Sequence, residues 1–151
     1  MKLAKVFKEN KQFTLFSILA LVVVGVAVFA PQIAPYDPLD AVMLESLQAP
    51  SSAHPFGTDK LGRDLLSRVI FGTRTSLIMT LCLVAVIFVI GTFLGVIAGY
   101  FGGIVDGVIM RIADMMISFP GLVLAIAIAG MLGPNLVNAV ISIAAVSWTK
   151  Y

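Results

Sequence analysis

Residues 76–99 read SLIMTLCLVAVIFVIGTFLGVIAG, 24 positions without a charged side chain. A helix rises about 1.5 Å per residue, so about 20 residues cross a hydrocarbon core near 30 Å thick. This run is long enough to span a bilayer. The whole chain agrees with it: 151 residues are 60% hydrophobic and 12% charged, with mean hydropathy +1.05. Soluble domains hold roughly 45–50% apolar and about 25% charged residues. A small water-soluble fold has too much surface for its volume to hide this much apolar side chain. Lipid is the solvent the sequence asks for. The formal charge of +2 is too small and dispersed to suggest a nucleic-acid partner. Cys82, the only cysteine, lies inside the run and reads as a small packing residue.

Immediately upstream the character reverses. HPFGTDKLGRDLLSRVIFGTRTSL, residues 54–77, carries His54, Asp59, Lys60, Arg63, Asp64, Arg68 and Arg74. Asp59 and Arg63 stand at i,i+4, as do Asp64 and Arg68, while Leu61, Leu65, Leu66, Val69 and Ile70 share roughly one side. The pattern predicts an amphipathic helix from Lys60 to about Ile70, capped by Thr58 or Asp59 and ended by Gly72. Facing water and headgroups is as good a reading of each charge as a polar contact. His54 is the sole histidine, in a proline-flanked loop without a cysteine nearby, so no metal site is expected from this chain alone. Pro31, Pro35, Pro38 and Pro50 make 31–53 a poor helix, and APYDPLDAV reads as an extended strap.

Before the strap, Phe13 to Ala30 is an uncharged run of 18 residues, longer than the roughly 7–15 of a cleavable signal core. We expect a first transmembrane helix over 13–34, behind a cytoplasmic segment 1–12. Lys2, Lys5, Lys8 and Lys11, offset only by Glu9, place that segment inside by the positive-inside tendency. Residues 35–75 then form an external loop with the amphipathic helix, and 76–151 hold about three further spans. Val108 to Leu132 is a third candidate, with Arg111 and Asp114 in its first turns, and Leu136 to Thr149 a short fourth.

Gly91, Gly95 and Gly99 recur every four residues and predict close helix packing. Asp106, Arg111 and Asp114 form a polar cluster expected at the cytoplasmic end of the third span. A structural latch between Arg111 and Asp114 is the plainer reading, and a place in a polar translocation path the sharper one. Pro120 predicts a kink. There is no G-x-x-x-x-G-K-[ST] loop, no G-x-S-x-G elbow and no H-E-x-x-H, so nothing points to catalysis or nucleotide hydrolysis. Asp106 and Asp114 lie too near the interface, and Asp114 too near Arg111, for an aspartate-pair hydrolase.

Taken together, APYDPLD, HPFGTDKLGRDLLSRVIFGTRTSL, GVIAGYFGGIVDGVIMRIADMMISFPGLVLAIAIAGMLGPN and SWTKY resemble the inner-membrane permease subunits of ABC importers for dipeptides, oligopeptides and nickel. The likeness is to the second of the two paired permeases and covers nearly all of residues 13–151. It implies an all-α polytopic fold of six helices, of which this chain would carry about four. It further implies a second homologous permease, two cytosolic ATPases that use the ATP, and an extracytoplasmic solute-binding protein; the chain itself would bind no cofactor. The family's ATPase-contacting loop would follow Tyr151, so the sequence is expected to be part of a longer protein. Asp59, Arg63, Asp64, Arg68 and Arg74 become an external interface or latch. Peptide is the first cargo expectation and nickel or another chelated metal the second. A non-transporting scaffold and a secondary transporter remain as rival classes, the latter without a visible inverted repeat.

Overall fold

The computed structural model describes residues 10–150; Lys2, Lys5, Lys8 and Glu9, and with them most of the expected inward segment, lie outside the described residues. Among the described residues the chain is all-α: α1 Lys11–Val28, the short α2 Ala30–Ile33, α3 Leu65–Phe101, α4 Gly103–Ser118, α5 Gly121–Leu132 and α6 Leu136–Ser147, with 3-10 turns at Met43–Glu45 and Trp148–Lys150. Contacts divide it into two units, 1–77 and 78–151.

In the first unit α1 is apolar on every face, and only 6% of its 18-residue window is buried. A helix without a polar side has no face to offer water, so lipid or other helices must cover it. It stops at Val28 instead of running through to residue 34. Pro31 has no amide to give to Ala27, and the ladder restarts as a single turn behind Phe29.

Two expectations for the next segment are overturned. No separate helix runs from Lys60 to Ile70, and Gly72 ends nothing: α3 begins at Leu65 and continues for 37 residues through Gly72. One interior glycine costs about 1 kcal/mol, too little to break a ladder whose freed carbonyls would face apolar surroundings. Residues 57–64 form instead a glycine-bearing turn with a single antiparallel bridge between Thr58 and Asp64.

In the second unit α4 and α5 replace the expected kinked span. They meet at 92°, a break and not a kink. Pro120 lacks an amide, Phe119 is extended, and α5 restarts on the Pro120 carbonyl, which accepts from Val123 at 2.9 Å and Leu124 at 3.1 Å. Among the described residues α1 and α3 are each long and apolar enough to cross a membrane, and α4 with α5 adds a third such length if the bent pair is one span. The 12-residue α6 reaches only about 18 Å at helical rise. It packs on α5, and the link between them is tied by Asn138, whose amide donates to the carbonyls of Leu132 (2.7 Å) and Gly133 (3.2 Å). Asn135 caps α6 by accepting from Val137 at 2.9 Å.

Candidate functional site

The densest polar chemistry of the described residues lies between α2 and α3. Its base is the start of α3. Asp64 is 3% exposed and Oδ2 accepts from the Ser67 amide at 2.7 Å, so Asp64, and neither Thr58 nor Asp59, is the cap. Ser67, wholly buried, accepts in turn from the Tyr36 amide at 3.0 Å, which pins the strap to the first turn of the helix.

His54 fills the space beside them. It is 6% exposed, with Nδ1 3.0 Å from Asp64 Oδ1 and Nε2 3.4 Å from Glu45 Oε2. The Tyr36 ring lies over it at 4.9 Å between centroids, and the Tyr36 hydroxyl donates to the Ala53 carbonyl at 3.1 Å. A cavity of about 150 Å³ opens here, lined by Tyr36, Asp40, Val42, Glu45, His54, Gly62 and Asp64.

Main-chain bonds close the loop around this core. Gln48 and Thr58 exchange Thr58 N to Gln48 O at 3.1 Å and Gln48 N to Thr58 Oγ1 at 2.9 Å. The Thr58 hydroxyl donates to Glu45 O, Leu47 N donates to Asp59 O at 3.0 Å, and the Ser46 hydroxyl donates to Lys60 O at 2.9 Å. Every buried side-chain nitrogen and oxygen among the described residues has a partner. A segment this small without an apolar core is specified by such satisfaction.

A second cluster sits on Asp59. Its Oδ1 accepts from the amides of Leu61 (2.8 Å) and Arg63 (3.1 Å), while Oδ2 meets both guanidinium groups, Arg63 at 2.8 Å and Arg68. The predicted Asp59–Arg63 pair therefore forms, though on a turn. The predicted Asp64–Arg68 pair does not: Arg68 swings to Asp59, and Asp64 turns inward to His54. Burial disfavours the ionised Asp59, yet the Arg63 side chain, the two amides and the Arg63 charge outweigh it and hold the carboxyl well below its ordinary 3.8. Asp64 is likewise lowered, desolvation being outweighed by the Ser67 backbone and hydroxyl and by His54.

Both carboxyls are easier to ionise folded than unfolded, so they stabilise the segment above 3.8 and lose that contribution as pH falls through their lowered values. Amide exchange across 45–67 should therefore stay slow down to pH 4 and quicken only in stronger acid. Quickening that begins at pH 5 would contradict these environments.

The remaining sequence-predicted residues are not drawn into this site. Arg74 is exposed and makes no ion pair with a described residue. Asp106, Arg111 and Asp114 fall within about 140° of arc on α4, but no ion pair joins Arg111 to Asp114 among the described residues. Asp114 lines a cavity of about 120 Å³ with Gly91, Gly95, Ala98, Ala113 and Trp148. A Cβ on Gly95 or Gly99 would meet no atom within 4 Å, so no described residue packs closely on those two glycines, while Gly91 one turn earlier is buried.

Sequence reasoning missed Tyr36, Glu45, His54 and Ser67. The available signal was the lone histidine within ten residues of two aspartates, but the helical i,i+4 reading had already assigned both acids to arginines.

The family described as the N-terminal TM domain of oligopeptide transport permease C matches residues 2–50. The chain is similar to the dipeptide transport system permease protein of Haemophilus influenzae, 39% identical over 151 residues, covering 96% of this chain and 51% of that protein. It is similar to the probable D,D-dipeptide transport system permease protein of Escherichia coli, 41% over 145 residues, with 96% and 49% covered. The nickel transport system permease protein of Escherichia coli is 39% identical over 117 residues, with 78% and 42% covered. The chain thus spans about half the length of the curated relatives it matches.

Proposed function

Because the chain belongs to the dipeptide, oligopeptide and nickel permease family and matches its N-terminal portion, we propose that it serves in one permease subunit of an ATP-driven importer. It is the second of a permease pair, and forms the membrane path with a homologous subunit. Two cytosolic ATPases consume the ATP, and an extracytoplasmic binding protein delivers the cargo; the chain binds no cofactor and performs no catalysis. The observation carrying this reading is similarity near 40% that runs through the apolar helices and the polar segment alike, to proteins named as transport permeases. Peptide is the preferred cargo. Nickel or another chelated metal is the second reading, favoured by the equal identity to a nickel permease.

The test is uptake by the intact transporter. Deleting this gene should abolish ATP-dependent accumulation of labelled dipeptide, and restoring it with its neighbours should recover it. Loss of nickel accumulation with dipeptide uptake intact would select the second reading. No change in either would remove the transport role and favour a scaffold.

In this reading the N-terminus is cytoplasmic and the His54 segment lies outside, the two ends joined by α1. A cysteine at Leu44, which is 96% exposed, in a Cys82→Ala background should react with an impermeant thiol reagent in intact cells. Labelling only after lysis would reverse the orientation. The outward surface around Arg63, Arg68 and Arg74 then meets the binding protein or caps the entrance. Arg68→Glu should lower uptake at least about fivefold at normal membrane abundance; unchanged uptake would leave these residues a purely internal latch.

A further inference from the structure

His54 stands between two carboxylates, and its two nitrogens cannot satisfy both in the neutral form. A neutral imidazole carries one N–H; the other nitrogen presents a lone pair. Asp64 Oδ1 lies at hydrogen-bond distance, 3.0 Å from Nδ1, and Glu45 Oε2 at ion-pair distance, 3.4 Å from Nε2. Only the imidazolium is opposite in charge to both carboxylates at once. The carboxylates come from opposite sides of the segment: Glu45 ends the 3-10 turn of the strap, and Asp64 caps α3.

From this geometry we propose that the segment is a proton-operated clasp, closed when His54 is protonated and loosened on the Glu45 side when it is neutral. Glu45 is the member that lets go. Its contact is the longer, its side chain is 42% exposed against 1% for Asp64, and water can solvate it once released. Asp64 stays, because it also caps the helix through Ser67. Release of Glu45 frees the turn whose carbonyl accepts from Thr58, and with it the strap's hold on residues 57–64.

The other groups facing the histidine do not supply an alternative switch. The Tyr36 phenol is committed to Ala53, away from the ring nitrogens. Asp40 lines the same cavity, so the groups around the ring there carry negative and not positive charge. Arg63 and Arg68 are held by Asp59, and neither forms an ion pair with Glu45 or Asp64. Asp64 is held below the ordinary carboxylate range by its bonds from Ser67 and His54, which outweigh its burial, and so keeps its charge; an imidazole is the side chain that ordinarily changes charge near neutral pH. The device belongs to the segment and does not depend on which face of the membrane it occupies.

His54 is the only histidine, so its ring carbon resonance can be followed in the full chain in lipid nanodiscs without ambiguity. Exchange of the amides of residues 45–60, corrected for the intrinsic pH dependence, is measured on the same samples from pH 5 to 8.5. The expected result is a fall in protection of about tenfold on raising pH, with the midpoint of the His54 titration. Glu45→Gln, which keeps a hydrogen-bond acceptor without the charge, should remove most of that fall while leaving protection at Ser67. Protection that stays flat while His54 titrates would overturn the proposal. So would an undiminished fall in the Glu45→Gln chain. Neither result touches the transport reading, which rests on uptake.

Discussion

Replacing Gly62 by alanine should detach the strap from the turn before α3 and cost amides of residues 42–64 about a hundredfold in exchange protection. Gly62 has φ +74°, where a side chain clashes with its own backbone at about 1–2 kcal/mol. The larger effect is external. A Cβ there would fall well inside the van der Waals radius of the Val42 carbonyl oxygen, with the Val42 carbon and nitrogen close behind. Backbone cannot rotate aside as a side-chain tip can, so the strap must move away, adding about 1–3 kcal/mol. The sum, about 2–5 kcal/mol, exceeds what a coreless loop can absorb, and about 2.8 kcal/mol already corresponds to a hundredfold. Gly57→Ala offers a parallel case, since its Cβ would strike the Gln48 carbonyl at φ +76°. Gly72→Ala, on the open face of α3, is the control and should be neutral or slightly stabilising. Wild-type protection in Gly62→Ala would mean that the strap does not lie against this turn.

Asp64→Ala should be the most damaging single change to the site. One carboxylate both caps α3 and balances a buried histidine, and truncation removes both roles at once. Loss of a cap costs about 1 kcal/mol, and leaving the buried His54 Nδ1 without its hydrogen-bond partner about 1–3 kcal/mol more. We expect loss of protection throughout 45–67 and, under the proposed transport role, uptake reduced at least tenfold. Asp64→Asn separates the roles. The amide oxygen can still accept from Ser67, so the helix start should survive while the contact to His54 weakens, giving an intermediate result. If Asp64→Ala transports and exchanges like wild type, the cluster is incidental to both fold and function.

The elements that periodicity could reach were legible. The runs at 13–30 and 76–99 become α1 and the apolar part of α3, because a long uncharged stretch has one solution in lipid, where every backbone group must be bonded internally. The i,i+4 rule was less reliable. It presumes a helix, and residues 59–64 are a turn, so Asp59 still found Arg63 while Asp64 was free to face the other way. The His54 site was illegible for a related reason. Tyr36, Glu45, His54 and Ser67 are separated by 9 to 31 positions, and what unites them is a set of side-chain contacts, Glu45 and the Tyr36 ring on His54 and the Tyr36 amide on the Ser67 hydroxyl, which leaves no period. Pro120 was recognised as a disturbance, but its amplitude was not. A proline in a packed helix bends it modestly; here Phe119 leaves helical geometry altogether and the angle reaches 92°.

That corner has a mechanical meaning. The arms on either side are stiff, since α4 has its own ladder and α5 is braced against α6 through Asn138. At the corner Pro120 gives no amide to α4, so no backbone ladder crosses it; what braces the two arms at their right angle is the far end of α6, where Trp148–Lys150 packs back against α4.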